Sequence, residues 1–586
     1  MKIKHLFGLA VIAAMTASCS SNNDLVNGGN GSSEVENGTA YASFKINLPT
    51  TSGTRAVPDG TPDFNEGTAA EYEVKNGTIL IFDATTDKFV TSADLGTMNP
   101  WTNVQENGVT TAAIATVKLE KVSVGGKYKA LVLLNNDVDA TTTTKKVKVT
   151  LPTASTDTYA NWSKDVSKVN ADDYAKTDGI FMANAPMYNS TTEEPTTLVD
   201  INGVYASPEE AQAKPATTIY VERGLAKVTM KDFEKDGYTI AKGTTYADAT
   251  VKIEKWQLDV TNKSTFPVHQ IDGLSSATTG FANIWKTDRF YDQTSSAFKR
   301  VYWGLDPNYS DNKYHAGDAT TSPKKTALDC CKEAFNMITN NQVNGAAGDA
   351  NPQYCLENTF DLDNMMQGQT TRVVFKAVFT PKDFTTVQTF YKIGNNTAIW
   401  KEADLKQQIK TVALTAMGIT DPKEQKKYDV DLTKGTNISG KAGQHLIKAE
   451  NITYNPGEGT SEGESTSKVD QKVVDTINEK LGLSDAAGIS TYLNGEAYYI
   501  ARIKHFNELT PWKAGEAYDS NNEKYLGRYG VLRNNWYELS VNKVSGLGYP
   551  DVPEVKPTLP DDENDQYISV SVKILSWAKR SQKIDL

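Results

Sequence analysis

The chain has 586 residues, 39% of them hydrophobic and 23% charged, which is enough for more than one core. Its net charge of -11 leaves no basic footprint for nucleic acid. The five histidines (His5, His269, His315, His445 and His505) are too scattered to give a histidine metal site. Plentiful Thr, Ser, Val, Tyr, Asn and Gly, with few long amphipathic runs, point to a mainly β chain.

Residues 1–19 read as a secretion signal: Lys2, Lys4 and His5, then the short apolar run LFGLAVIAAM, then small residues leading to Cys19. A cysteine at the cleavage point followed by SSNND is similar to a bacterial lipobox, with Thr16 where leucine is usual. Lipid on Cys19 would hold a precursor at a membrane, because each buried CH₂ contributes about 0.8 kcal/mol and stable anchoring takes more than one chain. The other reading is an ordinary signal peptide in which the cysteine is incidental.

After a polar, glycine-rich tether comes AYASFKINL. Its alternation predicts a strand with Ala42, Phe44, Ile46 and Leu48 on the apolar face, stopped by Pro49. The loop behind it carries Arg55 before Ala56, either a merely exposed arginine or a protease site. GTILIFDA (77–84) and KYKALVLLNN (127–136) are apolar almost throughout, as expected of strands covered on both faces. TTIYVERGLAKVTM (217–230) alternates around Gly224, which predicts a bulge or bend, and a domain boundary is placed at 230/231.

The second region repeats strand signals at 251–262, 372–380, 496–506 and 534–548. Helical period appears in PKKTALDCCKEAFNMI, WKEADLKQQIKTVAL and SKVDQKVVDTINEKLG, the last inside an insertion near 391–495. Residues 549–566, proline-rich and acidic, read as an extended linker that does not pack. YISVSVKILSW ends the chain as a strand, with Ile568, Val570, Val572 and Ile574 on one face and Trp577 beyond. A terminal strand commonly closes its own sheet; the long tether favours donation to another chain. Trp577 then serves either its own core or a neighbour's pocket.

Chemistry is sparse. Cys330 or Cys331 could bridge to Cys355, or all three stay free. Asp306, Asp311 and Asp318 do not have the spacing of an EF-hand loop, and Asp361 and Asp363 suit a turn. No catalytic, cofactor or metal motif selects any residue, so no enzyme activity and no cofactor is expected.

The stretches GTILIFDA, YKALVLLNN, FMANAP, YVERGLAKV, VYWGLDPNY, YCLENTF, EAYYIARIKHFN, RYGVLRNNWYELSVNKVSGLGYP and YISVSVKILSWAKRSQKIDL resemble the fimbrillins of type V pili, in particular the subunit of the short (minor) fimbriae. The likeness covers most of the chain after the signal, patchily, and is weakest over 391–495. It implies two tandem transthyretin-like β-sandwich domains, 56–230 and 231–548, behind a propeptide 20–55. It also implies an outer-membrane lipoprotein precursor cut by an arginine-specific, trypsin-like protease between Arg55 and Ala56. The groove left by the first strand would be filled by the C-terminal donor strand (567–586) of another subunit, giving an extracellular adhesive fibre that also involves anchor and tip subunits. Two other roles compete: a tip or accessory adhesin of the same family, and a surface glycan-binding lipoprotein or glycosidase.

Overall fold

The computed structural model describes residues 38–47, 64–65, 71, 74–95, 105–106, 109–110, 112–136, 149–153, 156–165, 167–168, 179–189, 192, 194–274, 300–457, 469–505, 525–561 and 568–577. The fold is mainly β. In the first half the hydrogen-bonded order is Phe89–Asp94, Gly77–Asp83, Tyr128–Leu134, Met182–Asn184, Thr217–Arg223, Thr39–Asn47, Ala112–Glu120. The two ends of this order come back into contact, so the sheet curls around a core. Ile79, Ile81, Val132, Leu134, Ile219 and Val221 fill the inside. Leu80, Phe82, Leu131 and Leu133 point the other way, into a second cluster. The unbroken apolar runs therefore serve two cores at once, as their sequence implies.

In the second half, two sheets face each other. One has the order Phe64–Asn65, Ile568–Trp577, Asn535–Val544, Ala226–Met230, Gln353–Cys355; the other has Tyr238–Thr239, Thr250–Asp259, Arg372–Thr380, Glu496–Arg502. Between them pack Val228, Met230, Tyr537 and Leu539 from the first, and Ile253, Trp256, Phe375 and Tyr499 from the second. This is sandwich packing.

The insertion has its own core. Its sheet runs Ile399–Lys401, Phe390–Ile393, Ile489–Tyr492, Lys441–His445, Asn437–Ile438. Helices Glu402–Ala416 and Gln471–Lys480 bury Leu405, Ile409, Val474 and Ile477 against it. The second helix starts where Asp470 accepts the Val473 N–H, an N-cap the sequence makes available. The helix expected in PKKTALDCCKEAFNMI, the first of the three in the chain, is Ala327–Ala334, opened by a Thr326–Asp329 capping box.

Two expectations need correction. The stretch 217–230 is two strands in two different sheets, with the chain crossing at Gly224 and Leu225. The chain thus passes from one sheet to the other a few residues before 230/231; Thr217–Arg223 begins with alternating burial, whereas Ala226–Met230 is buried at every residue. Residues 549–561 do not stand off as a linker either. The Arg372 guanidinium donates to the Pro553 carbonyl at 2.7 Å, Val552 N–H to Asn340 Oδ1 at 2.8 Å, and Thr370 Oγ1 to Asp561 Oδ2 at 2.9 Å. Val552 and Val555 are buried. Proline removes donors but not carbonyl acceptors, so such a segment can be held by the side chains beside it.

Candidate functional site

Strand Thr39–Asn47 lies inside its sheet. One edge pairs antiparallel with Ala112–Glu120 along its whole length. The other runs parallel to the next strand, Phe44 to Asn47 opposite Thr217 to Tyr220. Ala40, Ala42, Phe44 and Ile46 are each 0% exposed and face the core. The two flanking strands are thus held together here chiefly through a third that comes from the start of the chain.

The opposite face of this strand is half-exposed at Tyr41, Lys45 and Asn47 but covered at Ser43. Tyr41 and Tyr205 exchange backbone hydrogen bonds, both 2.8 Å. Behind Tyr205, Ser207 caps the short helix Pro208–Gln212 by accepting the Glu210 N–H. This turn lies over Ser43, whose hydroxyl donates to the Ala211 carbonyl at 3.0 Å and meets the Thr116 hydroxyl at 2.9 Å. Ser43 is consequently buried.

The terminal strand Ile568–Trp577 sits at a sheet edge of its own chain. It pairs antiparallel with Asn535–Val544, Val570 opposite Val541, Val572 opposite Leu539 and Ile574 opposite Tyr537, with a register shift between Val541 and Lys543. Its outer edge meets Phe64–Asn65 only at Ser576 and Trp577. Among the described residues no other strand pairs with that edge. Val570 is half-buried against the second core.

Between the two halves lies a buried set of charges. Glu222 contacts His269 Nδ1 at 2.7 Å and Arg300 at 2.6 Å. Arg533 reaches Glu357 at 3.3 Å. Burial pushes the Glu222 carboxyl up, but His269, Arg300 and Arg533 outweigh it and hold the group below the usual carboxylate range. Nearby, Lys227 pairs with Glu71 at 2.8 Å and lies 3.5 Å over the Trp536 ring. Burial lowers the Lys227 ammonium against the pull of Glu71.

The other residues singled out from sequence fall as follows. Cys19, Leu48, Arg55 and Ala56 lie outside the described residues. Cys330, Cys331 and Cys355 are free and buried; burial pushes the Cys331 and Cys355 thiols up to about 12. Asp306 is buried and bound to Asn262 Nδ2 (2.7 Å) and to the Thr359 and Asn308 amides, Asp311 pairs with Lys313, and Asp318 closes on Thr320. The three aspartates serve separate local structures. The sequence reading missed Ser43, Thr116 and the 205–212 cover. The Ser207-Pro208-Glu209-Glu210 run signals a helix start but not what the helix lies upon.

Residues 490–583 match the family described as "Major fimbrial subunit protein type IV, Fimbrillin, C-terminal". The C-terminal region of this chain is therefore similar to the C-terminal region of fimbrillins. The matched stretch begins as the chain leaves the insertion, and it takes in strands Glu496–Arg502 and Asn535–Val544, the docked segment 549–561 and the terminal strand. Among solved structures, a fimbrial assembly protein from Parabacteroides distasonis aligns over 58% of this chain and 99% of its own, at 9% identity and a TM-score of 0.23. That likeness is too slight to carry argument. No curated protein matches.

Proposed function

We propose that this chain is the structural (stalk) subunit of a cell-surface fimbria of the minor type, serving adhesion and biofilm formation. It is exported as a precursor lipidated at Cys19, cut between Arg55 and Ala56, and polymerised head to tail by strand exchange. One observation carries this reading: the strand ahead of Arg55 fills an interior place in its sheet. Its loss would leave two ladder edges unpaired and an apolar slot open, which strand addition by another chain remedies. Refilling the places of Phe44 and Ile46 with apolar side chains would contribute roughly 1.5–3 kcal/mol each. Ladder hydrogen bonds would add about 0.5–1.5 kcal/mol each, net. The terminal strand suits the donor role because it occupies an edge and has one full-length partner. A contact of this kind does not close on itself, so it yields a filament.

The separately cored insertion favours a second reading, an accessory or tip adhesin of the same fibre, in which that module would be the adhesive part.

The test is limited proteolysis of the precursor with a trypsin-like protease, followed by N-terminal sequencing and electrophoresis. A new N-terminus at Ala56 with a ladder of polymers is expected, and Arg55→Ala should stay monomeric. A ladder of undiminished yield from Arg55→Ala would place the gate elsewhere.

A further inference from the structure

The first strand contains Ala42-Ser43-Phe44-Lys45-Ile46, and the terminal strand contains Val570-Ser571-Val572-Lys573-Ile574. Both read apolar, serine, apolar, lysine, isoleucine in the same chain direction. Building on the strand-exchange reading above, we infer that the terminal strand of a second copy enters the vacated slot in one register: Ser571 in the place of Ser43, Lys573 in that of Lys45 and Ile574 in that of Ile46.

The outward side of the slot imposes this choice. Most sheet strands that bury one face present the other to water, and any polar residue serves there. This one does not. Ser43 is 7% exposed beneath helix Pro208–Gln212, between the Ala211 carbonyl and the Thr116 hydroxyl. A large side chain there meets the helix. An alanine takes this partner from the part-buried Thr116 hydroxyl and leaves the Ala211 carbonyl only its long local bond from the Lys214 N–H, 3.4 Å, so the place is less well satisfied. The place therefore asks for a small hydroxyl residue, and Ser571 offers one.

The inner side agrees. Ile46 is 0% exposed and Ile574 reproduces it unchanged. Val570 and Val572 stand for Ala42 and Phe44, so two medium side chains replace one small and one large. Cores tolerate such redistribution when total volume is nearly kept. The least favourable position is Ala40, also 0% exposed, where Ile568 would be larger; it is the second residue of the strand, next to where the chain leaves the sheet.

Two neighbouring registers compete. A slip of one residue turns the serines and Lys573 into the core and is excluded by the pleat. A slip of two puts Ser569 at the Ser43 place, but sets Ser571 for Lys45 and Val572 for Ile46, so only the serine is reproduced. The first register keeps serine, lysine and isoleucine together. In it Ser571 stands opposite Thr116 of the neighbouring copy, because Ser43 is opposite Thr116 within one chain. In the single chain Ser571 is opposite Ser540 instead.

Cross-linking of the full-length precursor tests this. Thr116→Cys chains are mixed with Ser571→Cys or with Ser569→Cys chains, so that only links between chains are read. The mixture is treated with trypsin-like protease and a mild oxidant. Opposed residues of an antiparallel pair lie within disulfide reach. Covalent dimers are expected from the Ser571→Cys mixture and only traces from the Ser569→Cys mixture. The reverse pattern, or polymer without links through either position, would overturn the register while leaving strand exchange standing. No polymer from any mixture, including the unsubstituted chain, would sink strand exchange itself. A second pair of variants is independent of disulfide geometry. Ser571→Leu should abolish the ladder while Arg55 is still cut, and Ser569→Leu should reduce it far less; equal polymer yields would also overturn the register.

Discussion

The first and the terminal strands carry nearly the same five-residue pattern yet are held very differently. Thr39–Asn47 has a neighbour on each edge, a closed apolar face and a helix over its serine. Ile568–Trp577 has one long neighbour and a two-residue contact at its end. The contrast teaches that side-chain pattern does not decide how firmly a strand is held. Position in the sheet does, since an edge strand forfeits half its ladder. In the single chain the well-held strand occupies the interior slot and the lightly held one lies at the rim, an arrangement suited to losing the first by cutting and the second by peeling.

The largest effect expected is all or none. A chain with Leu539→Cys and Val572→Cys, paired across the terminal ladder, should form an internal disulfide and give no polymer after protease treatment. Adding reductant should restore the ladder. Full polymer under oxidising conditions would mean that the terminal strand need not leave its own sheet.

The next effect tests the interior strand. Phe44→Ala empties a wholly buried place, so the uncut precursor should lose about 3–5 kcal/mol in denaturant unfolding. A loss below about 1 kcal/mol would show that the slot is not packed as described.

Acidity separates the two halves. Burial pushes Asp306, in the second half, up to about 7, against the pull of its hydrogen bonds to Thr359, Asn262 and Asn308. A carboxyl whose folded value is raised contributes stability that is fully present below its unfolded value, near 3.9, and is lost as pH rises through about 7. The second half should therefore weaken between pH 4 and 7 by up to about 4 kcal/mol from this group, at about 1.4 kcal/mol per unit. Glu222 acts in the opposite sense: its stabilisation is lost only as pH falls through a folded value below 4.5. Asp306→Asn should flatten the slope between pH 4 and 7, measured by denaturant midpoints across that range.

Much of this was legible in the sequence. The double-faced runs at 77–84 and 127–136, the three helices and the first and terminal strands follow from period and composition alone. The fimbrillin likeness of the C-terminal stretches is matched by residues 490–583. What escaped depends on contacts between distant residues. Ser43 looked like the solvent side of an alternating strand, and only the fold brings Ala211 above it. Glu222, Arg223 and Lys227 looked like ordinary polar positions of one strand. They are buried because the chain changes sheets between them, where Glu71, His269, Arg300 and Asn534 meet them. The segment 549–561 looked free because proline and acid content say nothing of the arginine, asparagine and threonine that hold it.

The smallest effect bears most directly on the contrast between the strands. Val570 is half-buried at the sheet edge, so Val570→Ala should cost the uncut precursor only about 1 kcal/mol, well short of Phe44→Ala. In a neighbour's slot the same side chain would take the wholly buried place of Ala42 and, with Val572, make up the volume that Ala42 and Phe44 fill, so that shortening it leaves the bulk of Phe44 uncompensated. Polymer formed from Val570→Ala should therefore dissociate at lower temperature or denaturant than wild-type polymer, although the precursor is scarcely altered. Hydrogen exchange supplies the matching measurement: amides of 568–577 should exchange about tenfold or more faster than those of 39–47 in the precursor, in keeping with their lower local opening cost. If both strands exchange alike, the terminal strand is no more readily released than the first, and peeling cannot be the step that cutting makes productive.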